Sequence, residues 1–260
     1  MPLVCDFSHS FVNYMLNTGK IAIQDDCIYL LNFDLDDLIK QSLASKNKLF
    51  RIYDKAAFWL RHVPGVRAFS LCNSLALGSF HEESDVDVFL VLDSKAFFTT
   101  RLLIIGLFEI LRLRPKLCLS FMVNEKRLDL NSVRLNDDVY LDNWIQALKF
   151  ETTSVELINE FCNLNSLSIN KRRLIKTNFV FRALPSLFEG VCRNFQLSRA
   201  RKKSHELTDN SGIVIEDGFL KFHHNDIRPR FNRYYRLEYD EFLRGNRVKT
   251  YQQSLQAELK

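Results

Sequence analysis

The chain has 260 residues, 47% of them hydrophobic and 26% charged, with a net charge of +5. A chain of this length buries roughly 70–75% of its unfolded surface, enough for one large or two small domains, and the balance of residues excludes disordered, collagenous and disulfide-scaffold classes. The mild positive charge suits a nucleotide or nucleic-acid partner without requiring one. In chain order, Phe11, Tyr14, Met15 and Leu16 have helical spacing within 1–17. Ile21 and Ile23, a Gln24–Asp25–Asp26 turn and the run Cys27–Leu31 read as a hairpin. Helix plus hairpin resembles part of a winged-helix module, too short to include a recognition helix. The segment 1–47 is therefore expected to be an N-terminal extension. Asp6 and Asn13 stand where a secretory leader would be basic and then apolar.

Leu35–Leu60 predicts a helix with Leu38, Ile39, Leu43, Tyr53, Ala57 and Leu60 inward and Lys46, Lys48, Arg51 and Lys55 in solvent. Pro64–Gly65 ends it, and Val66–Leu71 predicts a strand. The small polar pair Asn73–Ser74 follows, then a turn-rich connector, Leu77–Ser84, with Gly78. Asp85–Val86–Asp87 opens the apolar run Val88–Leu92. Acids at i and i+2 of a strand share one face, where their mutual repulsion favours a divalent cation. Mg²⁺ is typically held by one or two carboxylates plus substrate phosphates.

Ser94 is the expected N-cap of a helix reaching Arg114–Pro115. Its apolar stretch is interrupted by Arg101 and Glu109, which predicts a buried helix and no membrane partner. Lys116–Val123 predicts a third strand, with Leu117, Leu119, Phe121 and Val123 on one face and Lys116, Cys118, Ser120 and Met122 on the other. Asn136–Asp138 should cap a helix over 140–148 whose aromatic residues, Tyr140 and Trp144, belong to the core. Glu151–Lys203 reads as helical and later basic, with Lys171, Arg172, Arg173, Lys176, Arg182, Arg193, Arg199, Arg201 and Lys202. That basic stretch is either a solvated surface or a cationic wall for triphosphate or an RNA-like acceptor. Gly212–Phe222 predicts a hairpin about Asp217–Gly218. His223–His224 point apart on an extended segment, which disfavours a shared metal. Ile227–Arg247 reads as a helix with a charged outer face more readily than as a nucleic-acid stacking platform. Six cysteines without C-x-x-C spacing read as reduced thiols in a cytoplasmic protein.

The stretch from Phe69 to Asp93, FSLCNSLALGSFHEESDVDVFLVLD, resembles the nucleotidyltransferase superfamily that includes DNA polymerase β, the poly(A) polymerases and the antibiotic nucleotidyltransferases. The superfamily pattern is a hydrophobic residue, Gly, then Gly or Ser, followed about a dozen residues later by Asp–hydrophobic–Asp. Cys72–Asn73–Ser74 and Asp85–Val86–Asp87 match its two parts. Asn73 replaces the usual Gly, and Asn tolerates the left-handed backbone such a turn requires. Lys116–Leu148 also resembles uncharacterised bacterial nucleotidyltransferase-like proteins, through the CLSF strand and the Tyr140–Trp144 spacing.

The resemblance implies an α/β fold of the α+β kind. A small mixed sheet backed by helices would span 48–148, with a mostly helical C-terminal domain over 149–260. It implies transfer of a nucleoside monophosphate from a nucleoside triphosphate to a hydroxyl-bearing acceptor, which could be a small molecule, RNA or protein. Asp85 and Asp87 would hold Mg²⁺ or Mn²⁺, and Asn73, Ser74 and Ser84 would bind the nucleotide. The superfamily's third carboxylate belongs on the third strand, where this chain has none. Asp129, beyond that strand, is the candidate replacement. The contrasting expectation is a degenerate member that binds nucleotide, RNA or a protein partner without catalysis.

Overall fold

The computed structural model describes residues 9–24, 27–30, 35–78, 80, 82–166, 172–175, 187–205, 212–222 and 226–258. The expected Asp25–Asp26 turn, Lys171, Lys176, Arg182 and the pair His223–His224 lie outside these residues. The apolar strand Val66–Cys72 (β3) pairs antiparallel with Val86–Leu92 (β4), which runs parallel to Leu117–Asn124 (β5). All seven β4 residues are buried, as a central strand covered on both faces requires.

Before this core, α1 (His9–Asn17) leads into the hairpin of β1 (Ile21–Gln24) and β2 (Cys27–Leu30). The helix α2 (Leu35–Leu60) buries Leu49, Ala56, Ala57 and Leu60, and leaves Lys46, Lys48, Arg51 and Lys55 exposed. A short helix, α3 (Asn73–Leu77), separates β3 from β4, and α4 (Phe97–Ile110) crosses from β4 to β5. Beyond β5 come α5 (Val139–Ala147), β6 (Phe150–Thr152), α6 (Val155–Leu164), β7 (Arg172–Leu174), α7 (Glu189–His205), β8 (Ile213–Glu216), β9 (Phe219–Phe222) and α8 (Arg228–Glu258).

The sheet has seven strands in the order β7-β6-β3-β4-β5-β9-β8, larger than the small sheet expected. One face packs Leu60 of α2, Phe98, Ile104 and Phe108 of α4, and Leu197 of α7. The other packs Trp144 and Ile145 of α5 with Ile158 and Phe161 of α6, around Phe89. The result is a three-layer α/β arrangement. Strands from beyond residue 148 extend both sides of the β3–β4–β5 centre, so one sheet crosses the expected 148/149 boundary. The stretch expected to be helical contains β6 and β7, whose three residues each are too few to display a period. The 213–222 hairpin forms as expected and joins the sheet by pairing β9 with β5. Its turn needs glycine twice over: Gly218 has φ +73°, and a Cβ there would stand 2.0 Å from Asn124 Nδ2.

Two local expectations are corrected. Strict alternation along β5 fails because its register with β4 shifts between the pairs Asp87↔Cys118 and Phe89↔Phe121. Leu117 and Leu119 therefore share a cluster with Met122, while Phe121 and Val123 face the other side. An added residue of this kind reverses facing downstream of it. Ser94 does not cap α4; the residue before the helix is Ala96, which makes no side-chain cap. The Glu189 carboxylate of α7 accepts from the N–H groups of Phe98 and Thr99 at 2.8 and 2.9 Å. A cap supplied 90 residues away cannot be read from local sequence. Among the described residues no helix is long and apolar enough to cross a membrane.

Candidate active site

The site begins where β3 ends. Cys72 is extended, and Asn73 then turns the chain with φ 55°, the left-handed value expected of it. Gly78 closes the five-residue α3 at φ 72° and donates its N–H to the Ser74 carbonyl. The Asn73 side chain is fixed from the opposite layer, where Trp144 Nε1 donates to Asn73 Oδ1 at 2.7 Å. Trp144 is buried in the core as expected. Its donor role could have been suspected because a buried indole N–H needs an acceptor.

The register across β3 and β4 pairs Cys72 with Asp87, which sets the Asn73–Ser74 turn beside the Asp motif. On the other side Asp87 pairs with Cys118. Asp85 lies one residue ahead of β4 and is exposed, whereas Asp87 is 9% exposed within it. Ser84 is buried immediately before Asp85. Both acids act on Cys118: burial pushes its thiol up to about 12, and the Asp87 charge, a hydrogen bond to Asp87 and the Asp85 charge push the same way against Arg114. Burial, and then Asp87, raises the Cys72 thiol as well. Cys72 Sγ lies 3.8 Å from Ser120 Oγ. Cys118 and Ser120 thus occupy the Asp87 face. At neutral pH the thiols stay protonated, and Cys118 serves Asp87 as a donor.

Asp129 is not gathered into this cluster. Cys118 is the second residue of β5, and the strand carries the chain about 20 Å away by Asn124 at ~3.3 Å per residue. Asp129 follows that end, exposed, and its carboxylate accepts from the Asn131 N–H at 2.8 Å in a local turn. Among the described residues no group of three or more His, Cys, Asp or Glu side chains could hold a metal ion. Asp85 and Asp87 fit an ion that arrives already carrying phosphate oxygens, as Mg²⁺ commonly does, and do not form an all-protein cage.

A cavity of about 40 Å³ adjoins the site, lined by Asn73, Ser120, Tyr140, Lys221, Asp226 and Arg228 among others. The last three were not identified from sequence. Burial, reinforced by Cys72, Asp87 and Asp226, pushes the Tyr140 phenol up to about 12. Lys221 comes from β9 opposite Phe121. Burial and the neighbouring Arg228 lower its pKa, while Asp226, 3.7 Å away, opposes them. Arg228 binds Asp226 through Nε, at 2.9 Å from each carboxylate oxygen, and binds Asp138 through Nη1 at 3.0 Å. Asp138 caps α5, as expected, by accepting from the Leu141 N–H. Asn232 bonds both Asp138 and the Tyr140 N–H. The start of α8 is thereby clamped to the start of α5. Nothing in the pattern of 226–232 announces this, because its partners lie some 90 residues earlier.

No protein-family model, no curated protein and no solved structure matches the chain.

Proposed function

We propose that the chain is a nucleotidyltransferase-type enzyme, transferring a nucleoside monophosphate from a nucleoside triphosphate to a hydroxyl-bearing acceptor with release of pyrophosphate. The observation that carries this reading is the Cys72↔Asp87 pairing. It joins the left-handed Asn73–Ser74 turn to the Asp85–Asp87 pair, two motifs that are separate in sequence.

In this reading Asp85 and Asp87 hold Mg²⁺ or Mn²⁺, and the metal, when bound, offsets charge on the phosphate oxygens. Asn73 and Ser74 offer the backbone and hydroxyl donors for phosphate, with Asn73 steadied by Trp144. Cys118 donates a hydrogen bond to Asp87 and so helps orient that carboxylate. Tyr140, a neutral phenol at physiological pH, is a hydrogen-bond donor at the cavity wall. The four described free cysteines support a reducing, cytoplasmic setting.

A second reading is a nucleotide-binding protein without transfer activity. It is favoured by Cys118 and Ser120 on the strand where the superfamily resemblance implies an acid. One experiment separates the two: incubation with each α-labelled triphosphate and Mg²⁺ or Mn²⁺, with small molecules, RNA and protein products resolved. Transfer is expected from wild type and not from Asp87→Asn. Metal-dependent triphosphate binding with no label transferred and no pyrophosphate released would favour the second reading. Absence of both binding and transfer would reject both.

A further inference from the structure

A second, larger cavity of about 570 Å³ lies between α4, α7 and the β8–β9 hairpin, in the size range of small-molecule sites. Its charged lining among the described residues is Arg101, Arg114 and Arg199 against Glu109, a net +2. Glu109 and Arg114 form only a long 3.9 Å pair with both side chains well exposed. The rest of the wall is largely apolar, including Ile105, Leu119, Phe195 and Phe222.

Arg101 is the unusual member. Its guanidinium lies over the Phe222 ring at 5.1 Å, and Nη1 donates to Gln196 at 2.5 Å. Among the described residues its buried Nε has no hydrogen-bond partner. Burial, and then the Arg114 charge, lowers its pKa to about 10. A buried, incompletely bonded guanidinium beside like charge is costly, and an entering oxyanion would relieve both deficits. Arginine also suits phosphate particularly well, through its planar fork of donors.

We propose that this cavity binds a small organic phosphate, a monoester whose apolar or aromatic body packs against Ile105, Phe195 and Phe222 while its phosphate meets Arg101 and Arg199. A phosphate monoester carries about −1.5 to −2 charge at pH 7, which matches the wall's net +2. The apolar wall selects an ester over the bare ion. This site needs no metal, and it adjoins the proposed transfer site through Cys118, which lines the cavity and donates to Asp87.

Calorimetry in EDTA with phenyl phosphate, phenol and inorganic phosphate tests it on the full chain. Phenyl phosphate is expected to bind at least tenfold more tightly than either comparator. Arg101→Met should weaken it at least tenfold, and Arg199→Met, on the exposed side of α7 and harmless to the fold, at least threefold. Asp87→Asn, which removes a negative charge next to Cys118 of the wall, should not weaken it, which separates this site from the metal site. Phenyl phosphate binding no tighter than phenol or inorganic phosphate would overturn the proposal. So would binding insensitive to Arg199→Met, or binding lost in Asp87→Asn.

Discussion

Two sets of carboxylates, Asp138 with Asp226 and Asp87 with Asp85, are kept in different company. Asp138 and Asp226 lie against the Arg228 guanidinium, with Lys221 close by. Asp87 lies between two thiols whose pKa values it helps to raise. The first group binds helix to helix, and its charges are answered by cations from the same chain. The second sits at the end of a strand pair, next to an exposed Asp85 and the left-handed Asn73 turn. A buried, multiply bonded ion pair answered by cations of the same chain points to architecture.

The largest expected effect tests the architectural side. Arg228→Met leaves the fully buried Asp138 carboxylate and Asp226 without their guanidinium. Removing one partner of a buried pair costs about 3–5 kcal/mol, and urea unfolding should register a loss of that size. A loss below about 1 kcal/mol would mean that the cluster is not what fastens α8 to α5.

The next tests the functional side. Asp87→Asn should change apo stability by no more than about 1 kcal/mol, the scale of one exchanged hydrogen bond. Wild type should gain about 2.7 kcal/mol at Mg²⁺–triphosphate concentrations 100 times the dissociation constant, and the variant should lose most of that gain. Thermal melts with and without ligand read both quantities. If the variant melts far below wild type before any ligand is added, and neither protein responds to Mg²⁺–triphosphate, then Asp87 belongs with Asp138 as an architectural group.

Smaller still is the link between the two sides. Trp144→Phe removes the donor to Asn73 Oδ1 and should cost about 1–2 kcal/mol. Triphosphate affinity should fall with it if the Asn73 turn cradles phosphate. An unchanged affinity would confine Trp144 to packing.

The smallest effect is in alkali. The folded Cys118 thiol is raised from an ordinary value of 9.0 to about 12, so the folded state retains its proton more tightly than the unfolded chain. The resulting stabilisation is complete below about pH 9 and declines as pH rises towards 12. Urea midpoints at pH 8 and pH 10.5 should differ in that direction. The difference should shrink in Asp87→Asn without vanishing, because burial is the larger cause of the shift.

Much of this was legible in the sequence because it is local. Asn73 was expected to tolerate positive φ and does so; Asp138 was expected to cap α5 and does so; the Asp217–Gly218 turn forms. The three central strands follow from apolar runs bounded by turn residues. What escaped reading depends on distant partners or on single residues. The cap on α4 comes from Glu189, the ladder holding Asp138 comes from Arg228, and one added residue in β5 reverses the facing of Phe121 and Val123. The site was half visible for the same reason. Its two motifs are short and contiguous, while Lys221 and Tyr140 reach the cavity only through tertiary packing.

The placement of β6 and β9 bears on how the chain can be handled and made. Residues 48–148 contain β3, β4 and β5 but not the strands that flank them. Excised at that boundary, the segment would present β3 beside Phe69 and β5 beside Phe121 as bare edges, where the whole protein supplies Glu151 and Lys221 as partners. Long apolar edges of this kind recruit other chains. During synthesis the β3 edge waits only for residues 150–152, whereas the β5 edge stays bare until residues 219–222 emerge in the last third of the chain. Aggregation of the excised 48–148 piece is the outcome this strand order leads one to expect.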